Sequence, residues 1–125
     1  MITGTVNADR EAVIKLKIVG TNGREEAIDA VVDTGFTGFL TLPPSLIASL
    51  GLPFQSHQQI ILGDGNLYPV NVYTGSVEWE GRTRRIDIEE ADTTPLVGMA
   101  LMYGYKLTVE DRDGGSVTIE LLQIS

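Results

Sequence analysis

The strongest constraint on this chain is a period of two. Between Val13 and Val19, Ile14, Leu16 and Ile18 are apolar, and Lys15 and Lys17 stand between them. Successive side chains of an extended strand point to opposite faces, so this pattern predicts a half-buried strand. Thr21-Asn22-Gly23 follows, and Asn-Gly tolerates the positive φ of a tight turn, which predicts a hairpin. The partner strand is Ala27 to Val32, with Ile28, Ala30 and Val32 on one face.

The same grammar continues to the C-terminus. Phe39 to Leu42 reads as a third short strand. Pro43-Pro44 opens a short helix, where a missing N–H costs nothing, and Gly51 is placed to end it in a left-handed cap. Gln58 to Leu62 and Leu67 to Tyr73 are strands joined by the turn residues Gly63-Asp64-Gly65-Asn66. Gly75 to Trp79 and Thr83 to Ile88 form another hairpin around Glu80-Gly81. Leu96-Val97-Gly98 is a brief apolar strand leading into a second short helix, Met99 to Tyr103. Lys106 to Glu110 and Ser116 to Leu122 pair through Asp113-Gly114-Gly115. Many short strands with two brief helices predict a mainly β, barrel-like or sandwich domain over 1–125, without repeats or linkers.

Composition narrows the function. The 125 residues carry 17 acidic and 9 basic side chains and a net charge of −8, which argues against a nucleic-acid partner. Arg82, Arg84 and Arg85 are followed by Glu89, Glu90 and Asp92, a pattern that reads as a solvated hairpin face. The absence of cysteine excludes disulfides, thiolate metal sites and cysteine nucleophiles, and a single histidine, His57, excludes any site needing two from one chain. No cofactor or metal is expected. No apolar run approaches the ~18–20 residues of a membrane span, and Met-Ile-Thr-Gly-Thr has no signal-peptide character, so a cytoplasmic protein without a membrane partner is the expectation.

One acidic residue stands apart. Asp33 ends the apolar run Ala30-Val31-Val32, where a charge is expensive unless it is hydrogen-bonded, paired or functional. Thr34 offers a hydroxyl, and Gly35 permits a tight turn that aims backbone N–H groups at the carboxylate. An Asx turn closing a strand is the simpler reading of these three residues taken alone.

Context adds to them. Val31-Val32-Asp33-Thr34-Gly35, the glycine-rich Ile61-Leu62-Gly63-Asp64-Gly65-Asn66 and Pro95-Leu96-Val97-Gly98 follow one another in that order. In this the chain resembles the retroviral-type, or retropepsin-like, aspartic peptidases over roughly Val13 to Val109. Asp33-Thr34-Gly35-Phe36-Thr37-Gly38 with Leu96-Val97-Gly98-Met99 is most similar to the small prokaryotic members of that group.

The resemblance implies a closed, barrel-like acid-protease fold with a flap hairpin over a peptide cleft. It also implies a homodimer, because these enzymes need two carboxylates sharing one proton and this chain has a single Asp-Thr-Gly. Asp33 would be the catalytic group. Thr34 would interlock with its two-fold mate, Gly35 would make the turn, and Gly98 would pack closely beneath it. Phe36, with Leu62, Gly63, Asp64, Gly65, Asn66 and Tyr68 from the flap, would face substrate, an extended peptide with apolar side chains. For Tyr68, packing on the core is an equal alternative; Asp64 reads more simply as a turn residue, Trp79 as packing, and His57 as a polar strand-edge residue.

Two departures from the family pattern carry expectations of their own. Active members usually place Ala or Ser where this chain has Phe36, whose ring is expected to crowd the cleft floor or shift its preference. The segment from Val109 to Ser125 is long enough for its own hairpin, so the dimer is expected to be built differently from the interleaved termini of the viral enzymes. A catalytically silent peptide-binding homodimer and, lower in rank, a purely structural β domain remain as alternatives.

Overall fold

The computed structural model describes residues 1–61 and 63–123. In chain order the strands are β1 (Ile2–Val6), β2 (Ala12–Val19), β3 (Glu25–Val32), β4 (Leu40–Leu42), β5 (Phe54–Ile61), β6 (Leu67–Trp79), β7 (Arg82–Glu90), β8 (Leu96–Val97), β9 (Tyr105–Val109) and β10 (Ser116–Leu121), with one helix, α1 (Pro44–Leu50). The protein is mainly β, as the alternation predicts.

The sheet runs β5-β6-β7-β4-β8-β3-β2-β1-β10-β9, and β6 also pairs with β2 through Ile18↔Val77 and Val19↔Ser76. That extra pairing bends the middle of the sheet into a ring from β6 through β7, β4, β8, β3 and β2 back to β6. Two flaps of sheet extend from the ring, leaving β5 and β9 as outer edges. The inward positions of the alternating strands fill its interior: Ile14, Leu16 and Ile18 from β2, Ile28 and Ala30 from β3, Ile86 and Ile88 from β7. Leu40, Thr41 and Leu42 are all buried, because β4 lies between β7 and β8 and is covered on both sides.

Turn chemistry holds where a positive φ is required. Asn22 (φ 55°) and Gly23 (φ 73°) carry the β2–β3 connection through a short 3₁₀ turn, and Gly51 (φ 62°) ends α1. Ile47 and Leu50 are the buried stripe of α1.

The structure corrects several sequence boundaries. Leu67 to Tyr73 and Gly75 to Trp79 are a single 13-residue strand rather than two. Gly75 does not break it; a Cβ there would lie 2.6 Å from Cδ1 of Ile88, so glycine makes room for the core. Met99 to Tyr103 is a series of turns rather than a helix. Met99 donates to the Phe36 carbonyl (2.8 Å) and Ala100 to the Gly38 carbonyl (3.1 Å), and a segment of five residues closes too few helical bonds of its own to continue past these turns. β1 is a strand the sequence reading did not assign. It pairs with β2 on one side and with β10 on the other, Ile2↔Ile119 through Thr5↔Ser116.

Candidate active site

β3 and β8 run parallel, Val31↔Leu96 and Val32↔Val97, and both end at the same level. Asp33 emerges there. Its backbone N–H donates to the Val97 carbonyl (2.9 Å), which fixes the start of the loop to β8. Its carbonyl accepts from the Phe36 N–H (3.1 Å), closing a turn over Thr34 and Gly35, and its Oδ1 accepts from the Gly35 N–H (2.9 Å). The carboxylate is thus oriented by its own loop. It is half-buried rather than buried, and Thr34 and Gly35 are exposed. Gly35 does not use a positive φ; a Cβ at this position would sit 3.2 Å from Asp33 Oδ1 and press on the carboxylate.

The loop then passes beneath β8. Gly98 donates to the Phe39 carbonyl (3.0 Å), so residues 33–39 and 97–100 are laced together by backbone bonds alone. Gly98 is buried, and any Cβ there would collide with the Gly38 carbonyl and approach Phe36 Cδ2 to 2.6 Å. A Cβ on Gly38 would come within 2.6 Å of Phe36 Cζ and would collide with the Glu89 carboxylate. Phe36 therefore seats its ring in space left by two glycines. One contributor escaped the sequence reading: Thr41, only 6% exposed, accepts the Leu96 N–H on its Oγ1 (2.9 Å) and so holds β4 to β8 just behind Asp33. Its signal was a lone hydroxyl in the apolar run Leu40-Thr41-Leu42.

Hollows lie on both sides of this loop. One, of about 490 Å³, is bordered by Val32, Asp33 and Thr34 together with Arg10, Leu107 and Asp111. The other, of about 480 Å³, lies between the loop at Phe36 and Gly38, the β5 residues Gln58 and Ile60, and Asp87 and Glu89 of β7. The sequence pattern puts Glu89 on a solvated hairpin face. It is instead half-buried, and burial, reinforced by the charge of Asp87, pushes its carboxyl above the usual range.

The β5–β6 hairpin carries the other sequence candidates. Leu62 lies outside the described residues. At the tip, Asp64 accepts from the Tyr68 hydroxyl (2.6 Å), the Asn66 N–H (2.9 Å) and Asn66 Nδ2 (3.2 Å), closing an Asx turn. These bonds, the Tyr68 hydroxyl foremost, hold the Asp64 carboxyl below its usual range. Gly63, Asp64, Gly65, Asn66 and Tyr68 are thus brought together with each other, all exposed, and the hollow beside Phe36 is walled instead by Gln58 and Ile60 farther down the hairpin. Tyr68 does not pack on the core. Trp79 does, 1% exposed and edge-on to Tyr105 at 5.6 Å, and His57 is exposed on the edge strand β5, bonded to Asn71 (2.7 Å).

No family model matches the chain, and no curated protein matches it. Solved structures do. A retropepsin-like aspartic protease from Rickettsia conorii superposes with a TM-score of 0.58 at 17% identity, over 97% of this chain and 90% of that one. EIAV protease, in complex with the inhibitor HBY-793, superposes with a TM-score of 0.56 at 17% identity, over 77% of this chain and 88% of that one. The chain has a retropepsin-like fold.

Within this retropepsin-like fold the loop divides the two hollows: Asp33 and Thr34 border one, and Gly35, Phe36 and the β5–β6 hairpin border the other. Among the described residues there is no cluster of acidic or histidine side chains able to hold a metal ion, and no helix long and apolar enough to cross a membrane.

Proposed function

We propose that the protein is an aspartic endopeptidase that works as a homodimer, each subunit contributing Asp33. The observation that carries this reading is the Asp33 turn itself, a carboxylate oriented by the Gly35 N–H, fixed to β8 through Val97 and only half-buried, within a retropepsin-like fold. Two such carboxylates facing each other across a two-fold axis share a proton, since like charges ~3 Å apart cannot both ionise. One takes a proton from a water as it attacks the peptide carbonyl carbon. The other, protonated, donates to the carbonyl oxygen. The tetrahedral intermediate then collapses, the C–N bond breaks, and the leaving nitrogen takes a proton from the dyad. The pair titrates as a unit.

The remaining roles follow on the same reading. Exposed Thr34 meets its mate beneath the carboxylates. The β5–β6 hairpin serves as the flap, its tip held by the Asp64, Asn66 and Tyr68 bonds, and the peptide lies as an added strand between hairpin and loop. The dimer does not need interleaved termini: β1 already has β2 and β10 of its own chain on its two edges, and β9 keeps the free edge. A silent peptide-binding dimer was favoured by Phe36; the niche made by Gly38 and Gly98 removes most of that support, because the ring is seated there.

The test is digestion of a mixed peptide library from about pH 4 to 7 by wild type and Asp33→Asn in parallel, with association measured by sedimentation. Cleavage by a dimer, lost by about a thousandfold in an Asp33→Asn protein that still dimerises, supports the peptidase. A folded dimer that binds peptides and cuts none returns the silent reading, and a monomer at every concentration defeats both.

A further inference from the structure

We propose, resting on the reading of the hollow beside Phe36 as part of a peptide cleft, that Glu89 selects a cationic side chain, Lys or Arg, in the bound peptide.

Glu89 sits on β7, paired in parallel register with Thr41 of β4, and its carboxylate lies against Gly38 of the active-site loop. The contact is possible only because residue 38 has no side chain. The carboxylate therefore borders the same hollow as Phe36, a few residues along the loop from Asp33.

Its neighbour makes a useful contrast. Glu90, next on the strand, accepts from Asn71 Nδ2 (3.0 Å). Glu89 has no ion pair and no side-chain hydrogen bond among the described residues, although it is half-buried. A carboxylate held partly out of water without a partner costs the fold free energy, and a cation brought beside it would offset that cost.

The surroundings say which ligand. Phe36, Phe39, Ile60 and Val72 give the hollow apolar walls, and Asp87 adds a second negative charge beside Glu89. A long aliphatic stem ending in a positive charge matches walls of this kind with an acid at the end. Arg85 lies farther out, past Asp87, beside an adjoining hollow of about 520 Å³ that also borders Phe39. The attractive end is thus the end next to the active-site loop. This departs from a purely apolar peptide preference, which the leucines and isoleucines of the sequence alone suggest.

The experiment compares two peptides that differ at one position, Lys against norleucine, chosen from cleavage sites found in a library digest. The readout is the ratio of kcat/KM for the pair in wild type, Glu89→Gln and Glu89→Asp. A ratio of about tenfold or more in wild type, falling towards one in Glu89→Gln, partly restored in Glu89→Asp and shrinking with added salt, is the expected result. Cleavage with no preference for Lys or Arg at any position near the scissile bond, or a preference that survives Glu89→Gln, overturns the inference and leaves the peptidase intact. If wild type cuts nothing, a Lys and norleucine pair built on a peptide that the protein captures from the same library is read by fluorescence anisotropy. Lys-dependent binding abolished by Glu89→Gln then keeps the selectivity while the catalytic reading fails, and equal or absent binding overturns it.

Discussion

Phe36 and Gly98 are fitted to each other: a Cβ on Gly98 would lie 2.6 Å from Cδ2 of the Phe36 ring and 2.8 Å from the Phe36 carbonyl oxygen. Gly98→Ala is expected to lower stability by about 1–3 kcal/mol, the usual cost of overpacking a tight site. Phe36→Ala relieves the ring contact and leaves the Gly38 carbonyl in the way, so it should rescue Gly98→Ala only in part. Denaturant unfolding of the two single variants and the double variant measures this. Strict additivity would mean that ring and glycine do not share that space.

Thr41 tests the support behind the loop. Thr41→Val keeps the shape of the side chain and removes the acceptor for the Leu96 N–H. Leaving that half-buried donor unpaired is expected to cost about 1–3 kcal/mol. Hydrogen exchange of the Leu96 amide should rise more than that of amides in β9, and an equal rise throughout would point to a global effect instead.

Glu89 sets a pH dependence of stability. Its folded-state carboxyl is raised, by burial first and by Asp87 second, so the neutral form is favoured in the fold. Its contribution is fully present below the unfolded-state value and is lost as pH rises through the folded one. Glu89→Gln, permanently neutral, is therefore expected to raise Tm at pH 7 relative to wild type and to lose that advantage below the ordinary glutamate range. A Tm difference independent of pH would show that ionisation of Glu89 is not the cause.

Asp64 has the opposite sign. Its carboxyl is lowered by the Tyr68 hydroxyl and then by the Asn66 amide, so the order it lends the hairpin tip is present above the unfolded-state value and fades as pH falls through the folded one. Tyr68→Phe should move the Asp64 titration back towards the usual aspartate range, read by carboxyl NMR shifts. An unmoved titration would assign the effect to the backbone turn alone.

The strands were legible because alternation depends only on which faces are wet and dry. Ile14, Leu16, Ile18, Ile28 and Ala30 follow from the alternation alone, and the turns at Asn22-Gly23 and Gly51 from residues that tolerate a positive φ. The Asp33 turn was legible for a similar reason, since its bonds to Gly35 and Phe36 lie within three residues.

Other features depend on partners far away in the chain. Ile2–Val6 is a strand because β10 comes back to it, and Met99–Tyr103 is a set of turns tied through the Met99 and Ala100 amides to Phe36 and Gly38, much earlier in the chain. Gly75 sits in the middle of a strand because Ile88 needs the room. The same holds at the site. Asp33 could be singled out from its own neighbours, while the seat of Phe36, the hydroxyl of Thr41 and the half-burial of Glu89 arise only where β4, β7 and β8 meet. Local hydrogen bonding and the dry face of each strand are written in short stretches of sequence; which surfaces exclude water from one another is decided only when the ring closes.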